Sequence, residues 1–199
     1  MADGKNIRAF LAIDLPDEIK KNLTGIQKQL KSIVDGVKWV NPNGIHLTLH
    51  FFGHITGDEI ELASRIVKKN MEGAESFMLN VGLVGVFPGW KRPRVLWIGI
   101  GGEIGALGAL RKRIEQGLEE AGFETEDRDF KPHLTLGRIK SPAEASGVEK
   151  IIGSGKEFTA GSFTAQGLTL FKSDLHPTGA VYTKLEYFPF AINARSVKP

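Results

Sequence analysis

The tetrapeptide HLTL occurs twice in this chain, at residues 46–49 and again at residues 133–136. In an extended strand alternate side chains share a face, so the leucines of each copy point into a core while histidine and threonine point to the other side. The first copy lies within residues 45–52 (IHLTLHFF), where apolar and polar residues alternate. Each copy therefore predicts a β-strand with one buried face and one face that carries an imidazole and a hydroxyl.

The sequence around the two tetrapeptides repeats in the same order. An apolar run opens each half, at Ile7 and at Val95, and the histidine follows at almost the same distance in both. Between run and histidine, apolar residues recur every three or four positions, which is the spacing of one face of an α-helix. They are Ile19, Leu23, Ile26, Leu30 and Ile33 in the first half, and Leu107, Leu110, Ile114 and Leu118 in the second. We interpret the pattern as an internal duplication with a period of about 87 residues.

The duplication predicts a bilobal α+β fold. Each half has the order strand, helix, strand, helix, strand, so we expect two pseudo-symmetric lobes, each with an antiparallel-rich sheet, helices outside and an active cleft between the lobes. The lobes should be built approximately on the repeats 7–90 and 95–188. The only plausible joint, residues 88–94, is short, and we therefore expect residues 1–199 to form a single domain.

Composition removes several classes of function. Cysteine is absent, which excludes disulfides, thiolate nucleophiles and cysteine-ligated zinc or iron–sulfur sites. The formal charge of +3 suits an anionic ligand but suits an ordinary globular protein equally well. No apolar run approaches the roughly 18 residues that cross a bilayer, and residues 1–16 contain no signal-peptide core. We expect a cytoplasmic monomer that does not bind membranes.

The two polar faces suggest acid–base chemistry at phosphorus. Pseudo-twofold packing would bring them to one cleft, where a neutral imidazole takes a proton from water and a charged imidazole gives one to a leaving oxygen. In-line attack requires the two rings on opposite sides of the phosphoryl group, and threonine hydroxyls can donate to its non-bridging oxygens. His46 and His133 are therefore the predicted acid–base pair, with Thr48 and Thr135 as phosphate ligands and no metal or other cofactor.

Two other interpretations apply to the same histidines. A single HLTL is more often a packed strand than a catalyst, although packing gives no reason for His and Thr to recur together on the opposite face. His50 and His54 alternate with His46 and are candidate partners in a zinc site. The second copy has one histidine and neither copy has a carboxylate, so a complete ligand set is difficult to assemble.

With their surroundings, these motifs resemble the two-histidine (2H) phosphoesterase superfamily, and within it the LigT-like RNA 2′,3′-cyclic phosphodiesterases, formerly named 2′-5′ RNA ligases. The resemblance covers nearly the whole chain. The matching segments are residues 8–16, 39–40, 46–49, 51–53, 87–88, 93–99, 130–138 and 170–175, with Gly179 and Tyr182. A single HxTx motif is weak evidence, whereas two with these surroundings are strong.

The resemblance implies hydrolysis of a terminal 2′,3′-cyclic phosphate to a 2′-phosphomonoester, without a metal. His46 matches the histidine expected to protonate the leaving 3′ oxygen, and His133 matches the one expected to activate water. Arg138 resembles a family arginine that approaches the phosphate. Strict alternation from His133 would aim Arg138 away, unless a strand end or bulge at Gly137 intervenes. Candidate partners are RNA with cyclic phosphate ends, tRNA fragments and small cyclic nucleotides.

Four further residues are candidates for substrate binding. Phe52 shares the alternation face of the first histidine and is a candidate for stacking on a base, with a core position equally open. Arg94, Ser173 and Tyr182 are candidate contacts at the rim of the cleft. At His50 many relatives carry lysine or arginine, so cationic assistance to phosphate or RNA binding would here depend on pH.

Two alternative functions would use the same cleft. The first is reversible 2′-5′ RNA ligation, because the same acid and base run the reaction backwards. The second is a non-catalytic module that binds RNA or nucleotides and no longer turns over.

Overall fold

The described part of the chain is rich in β-structure. The computed structural model describes residues 6–125, 129–141, 146–153, 157–177 and 179–192, and within these ranges it contains nine strands and four α-helices. The strands are β1 (Ile7–Asp14), β2 (Val37–Trp39), β3 (His46–Ile55), β4 (Phe77–Phe87), β5 (Val95–Gly102), β6 (His133–Ile139), β7 (Thr159–Ala165), β8 (Gly167–His176) and β9 (Gly179–Pro189). The helices are α1 (Asp17–Lys31), α2 (Gly57–Asn70), α3 (Ile104–Glu120) and α4 (Val148–Gly153).

The strands form two antiparallel sheets. Among the described strands, one sheet has the order β3-β1-β8-β9 and the other has the order β2-β6-β5-β4-β7. Neighbouring strands run antiparallel throughout both sheets. The α+β class with two antiparallel sheets is therefore confirmed.

The sheets differ from the predicted lobes in their origin along the chain. β1 of the first repeat pairs with β8 of the second, and β5 of the second repeat pairs with β4 of the first. Each sheet thus contains strands from both halves, instead of following the ranges 7–90 and 95–188. Because the halves are duplicates, β4 and β8 present equivalent edges, and each fits beside the opening strand of the other half.

The helices bury the apolar faces that their spacing predicted. In α1 and α3 the predicted residues that are buried are Ile19, Leu23, Ile26, Leu30, Leu107, Leu110, Ile114 and Leu118. α1 packs on β7, where Asn22 donates to the carbonyl oxygen of Ala160 at 3.0 Å, and α2 packs against α3. α2 begins with a capping box between Thr56 and Glu59. Among the described residues, no helix is long and apolar enough to cross a membrane.

Candidate active site

The two strands that carry HLTL meet at a cleft. β3 contacts β6, and the space beside them is a cavity of about 210 Å³. Both histidines and both threonines of the two motifs line this cavity, and their assignment as the acid–base pair and the phosphate ligands stays a prediction. The lining residues are Arg8, Phe10, Val40, Gly44, Ile45, His46, Thr48, Phe51, His133, Thr135, Arg138 and Tyr182.

A β-bulge breaks the alternation of β3 at the end of its HLTL motif. Consecutive residues of β1 pair with Thr48 and His50, which leaves Leu49 as an extra residue. After this bulge His50 turns to the buried side of the strand and Phe51 turns to the cleft. Phe51 is 42% exposed there, whereas His50 is buried.

β6 has a bulge at the equivalent place. Consecutive residues of β5 pair with Thr135 and Gly137, so Leu136 is the extra residue. The bulge turns Arg138 toward the cleft and resolves the conflict between its expected role and strict alternation. Gly137 is buried under β2, where an added Cβ would collide with the side chain of Val37. Glycine is therefore required at this position by close packing.

His46 lies in an aromatic pocket at one side of the cleft. Its ring stacks on Phe10 with centroids 4.4 Å apart and meets the edge of Tyr182 at 5.1 Å. Burial disfavours the charged ring and lowers the pKa of His46 to about 4, although a hydrogen bond to the Gly44 backbone and the nearby Asp14 carboxylate act in the opposite direction. The ring is therefore neutral near pH 7 when no ligand is bound.

His133 occupies the equivalent position on the other strand. Its Nδ1 lies 2.7 Å from the carbonyl oxygen of Lys131, so Nδ1–H donates and Nε2 is left as the proton acceptor of the neutral ring. The ring meets Phe87 edge-on, with centroids 4.9 Å apart. The His46 ring likewise interacts with the backbone of Gly44. In both halves, the backbone two residues upstream orients the imidazole.

Arg8 is a cleft residue that the sequence predictions did not include. Its guanidinium lies 4.5 Å from the ring centroid of Phe51 and donates to Ser173 Oγ at 2.8 Å. Among the described residues, no carboxylate lies within 4 Å of this cation. The signal in the sequence was a single arginine two positions before Phe10, on the same face of an otherwise apolar strand.

The remaining predicted substrate contacts do not all line the cleft. Tyr182 lines the cavity and contacts His46, whereas Ser173 is buried and reaches the cleft only through Arg8. Arg94 is exposed and is not part of the cavity lining. Phe52 lies away from the cleft, because the bulge in β3 reverses the face that alternation assigned to it.

His50 and Phe52 instead belong to the packing between β3 and α3. The Phe52 ring lies 4.4 Å from the ring of His50 and 5.5 Å from that of Phe123, between centroids. His50 Nδ1 lies 3.1 Å from Glu115 Oε1, so this histidine does not replace a cation in the cleft. The interpretation of His46, His50 and His54 as a zinc site is not supported, since the described residues contain no group of three possible metal ligands.

Both repeats of the chain match a known protein family. The profile described as LigT like Phosphoesterase matches residues 13–97 and 99–182, one stretch in each repeat. The RNA 2′,3′-cyclic phosphodiesterase of Methanothermobacter thermautotrophicus is 34% identical over 182 residues, which cover 92% of this chain and 98% of that protein. These matches confirm the resemblance that the HLTL motifs predicted.

Solved structures support the same fold. The Thermus thermophilus protein TT0787 has a TM-score of 0.78 at 30% identity, over 92% of this chain and 98% of that one. E. coli LigT in complex with 3′-AMP has a TM-score of 0.76 at 25% identity, over 94% and 99% of the two chains. The two-sheet architecture therefore extends over the full length of both neighbours.

Proposed function

The chain belongs to the LigT-like phosphoesterase family, and we propose that it is an RNA 2′,3′-cyclic phosphodiesterase whose cleft opens the terminal cyclic phosphate. The observation that carries the proposal is the convergence of His46, Thr48, His133 and Thr135 on one cavity. The relative from M. thermautotrophicus has this activity in its name. E. coli LigT holds 3′-AMP, a nucleotide with a phosphate on the ribose 3′ oxygen.

The proposed reaction needs one proton acceptor and one proton donor. His133 takes a proton from water at Nε2, and the water oxygen attacks phosphorus. The bond from phosphorus to the 3′ oxygen breaks, His46 protonates that oxygen, and the phosphate stays on the 2′ oxygen. Proton transfer between the rings through solvent restores both for the next turnover.

The low pKa of the His46 ring adds a requirement to its role as the proton donor. With a pKa of about 4 the ring is uncharged in the free protein near pH 7, and an uncharged imidazole is a poor acid. An anionic phosphate beside the ring favours its charged form and raises its pKa. We therefore propose that substrate binding itself charges His46, so that the acid forms only when there is a leaving oxygen to protonate.

The other cleft residues suit the rest of a terminal nucleotide. Thr48 and Thr135 can donate to the non-bridging oxygens, and Arg138 can supply a charge-assisted, bidentate contact to them. Phe51 offers an exposed ring, supported on one side by Arg8, on which a base can stack. These contacts involve only the terminal nucleotide, so RNA ends, tRNA fragments and small cyclic nucleotides are all candidate substrates.

The test is hydrolysis of an oligonucleotide that ends in a 2′,3′-cyclic phosphate, in the presence of EDTA. We expect a 2′-phosphomonoester as product, and a loss in kcat of about 10² to 10⁴-fold in His46→Ala and in His133→Ala. His54→Ala and His176→Ala are matched controls, because both side chains are exposed and outside the cavity lining. Full turnover in either cleft variant would refute the proposed mechanism.

Two other outcomes would identify a different function. Joining of the cyclic end to an RNA with a 5′-hydroxyl would indicate ligation. Tight RNA binding without hydrolysis would indicate a binding module.

A further inference from the structure

Each of the two bulges beside the cleft has its backbone carbonyl occupied by a side chain from a helix. Arg111 of α3 donates Nε–H to the carbonyl oxygen of Leu49 at 2.9 Å, and Gln27 of α1 donates from its amide to the carbonyl oxygen of Leu136, also at 2.9 Å. A bulged residue lies outside the regular ladder with its neighbouring strand, so its carbonyl is open to a donor from elsewhere in the fold. We propose that Gln27 and Arg111 are positioning residues that hold the two bulges in place.

The two helices reach across the halves of the sequence. α1 belongs to the first repeat and holds the bulge of β6, which belongs to the second. α3 belongs to the second repeat and holds the bulge of β3, which belongs to the first. In both cases a helix of one repeat donates a hydrogen bond to the bulge of the other repeat, although arginine and glutamine differ in charge. Because the helix of each repeat donates to the bulge of the other repeat, the recurrence points to the bulges themselves.

Gln27 is held by acceptors at both of its amide hydrogens. It is only 3% exposed, and it also donates to the carbonyl oxygen of Val40 at 2.8 Å. Both acceptors are carbonyl oxygens, so the amide must present its nitrogen to them. Val40 lines the cavity, and its own N–H donates to the Leu136 carbonyl oxygen at 3.0 Å. Gln27 therefore joins the bulge of β6 to the segment that leads into β3.

Arg111 is fixed by three kinds of contact. Its second terminal nitrogen lies 2.9 Å from Glu115 Oε1, which also meets His50 at 3.1 Å. Its guanidinium lies 4.6 Å from the ring centroid of Phe130, three residues before His133. Arg111 thus touches β3 at its bulge and the segment that enters β6. Truncation of this side chain would leave the Leu49 carbonyl without its helix donor.

The bulges matter because they set which side chains face the cleft. A shift of one residue in strand register reverses every side chain that follows. Phe51 and Arg138 come after the bulges and would turn to the buried face, while Thr48 and Thr135 lie directly before them. A misplacement of about 1 Å can cost about 10²-fold in rate. We therefore expect loss of either donor to reduce turnover in a protein that still folds.

The test compares Gln27→Met and Arg111→Lys with the wild type. Methionine keeps the length of the side chain without a donor. Lysine keeps the charge beside Glu115 but replaces the planar fork, which joins Glu115 to the Leu49 carbonyl oxygen, with a single ammonium group. We expect kcat to fall about 10- to 100-fold in each variant, with a smaller change in KM. The matched controls are Gln29→Met on α1 and Arg113→Lys on α3, because both residues are exposed on the same helices. Their kcat should stay within about twofold of the wild type.

A loss of stability alone must be distinguished from a loss of position. Ile114→Val on α3 removes one methylene from the core and destabilises the fold without touching a bulge. Rates are compared at a temperature where circular dichroism shows every variant folded, and the imidazole signals of His46 and His133 are followed by NMR. We expect both Gln27→Met and Arg111→Lys to shift these signals, and Ile114→Val to leave them unchanged.

The inference rests on the proposed hydrolysis, and the two can fail separately. If the wild type does not open a cyclic phosphate, the proposed function is wrong. If the wild type is active and the folded Gln27 and Arg111 variants keep its kcat, or lose no more than Ile114→Val, the positioning role is wrong. Arg111→Lys decides the question by itself if Gln27→Met does not fold.

Discussion

The partly buried imidazole of His46 should make the stability of the protein depend on pH. Its pKa is about 4 in the folded protein and 6.5 for an ordinary histidine. As the pH falls, the unfolded chain therefore takes up a proton before the folded chain does. The contribution of His46 is complete above about pH 6.5 and is lost as the pH falls toward 4. One pKa unit corresponds to about 1.36 kcal/mol, so lowering the pH from about 7 to about 5 should cost about 2 kcal/mol.

Urea unfolding of the wild type and of His46→Gln at both pH values isolates this effect. Glutamine does not titrate in this range, and subtraction of the variant's pH dependence removes the contribution of all the other groups. We expect the wild type to lose about 2 kcal/mol more than the variant on acidification. An equal loss in the two proteins would refute the argument that burial controls the charge of His46.

A second experiment tests whether substrate binding controls the charge of His46. NMR titration of the His46 ring should give a midpoint well below 6.5 in the free protein, and inorganic phosphate should move it upward. A midpoint that phosphate leaves unchanged would contradict the proposal that substrate binding charges the ring. His176, which is exposed and outside the cavity lining, serves as an internal reference within the same spectra.

Three further predictions concern the residues around the bulges. Arg138→Gln should raise KM about tenfold with little change in stability, whereas Lys140→Gln, exposed beyond the cleft on the same segment, should not. Phe51→Ala should raise KM for a cyclic-phosphate nucleotide by about tenfold or more, because a stacked base contributes about 1–3 kcal/mol; an unchanged KM would remove Phe51 from the substrate site. Gly137→Ala should lower the free energy of unfolding by about 1–3 kcal/mol because its Cβ meets Val37, whereas Gly101→Ala, with open space at the Cβ, should cost much less; urea unfolding measures both.

The sequence was most informative where a simple period governs the structure. The helical spacing in α1 and α3 correctly identified their buried faces, and the duplicated HLTL motifs located both strands that carry the cleft histidines. Their convergence on one cavity also followed from the repeat, because duplicated elements packed about a pseudo-twofold axis place equivalent side chains near that axis. Alternation does not identify the neighbour of each strand, so the exchange of β4 and β8 was not predictable from it.

Alternation also failed wherever a bulge interrupted it. Phe52 was assigned the cleft face by counting from His46, and the extra Leu49 gave that face to Phe51 instead. The same device in β6 was anticipated because Arg138 had a role that conflicted with its position, and Gly137 is a residue type that tolerates close backbone packing. In β3 there was no such conflict to reveal the bulge. A bulge leaves no compositional signal unless its neighbours carry one.

The exchange of strands makes the two halves of the duplicated chain depend on each other. If each half had closed its own sheet, the two halves could separate without breaking a strand pairing. Because β8 pairs with β1 and β4 pairs with β5, neither sheet is complete without the other half. The crossed contacts of Gln27 and Arg111 extend this dependence from the sheets to the bulges. Both halves therefore contribute strands to both sheets, and the cleft is lined by imidazoles that are far apart in the sequence.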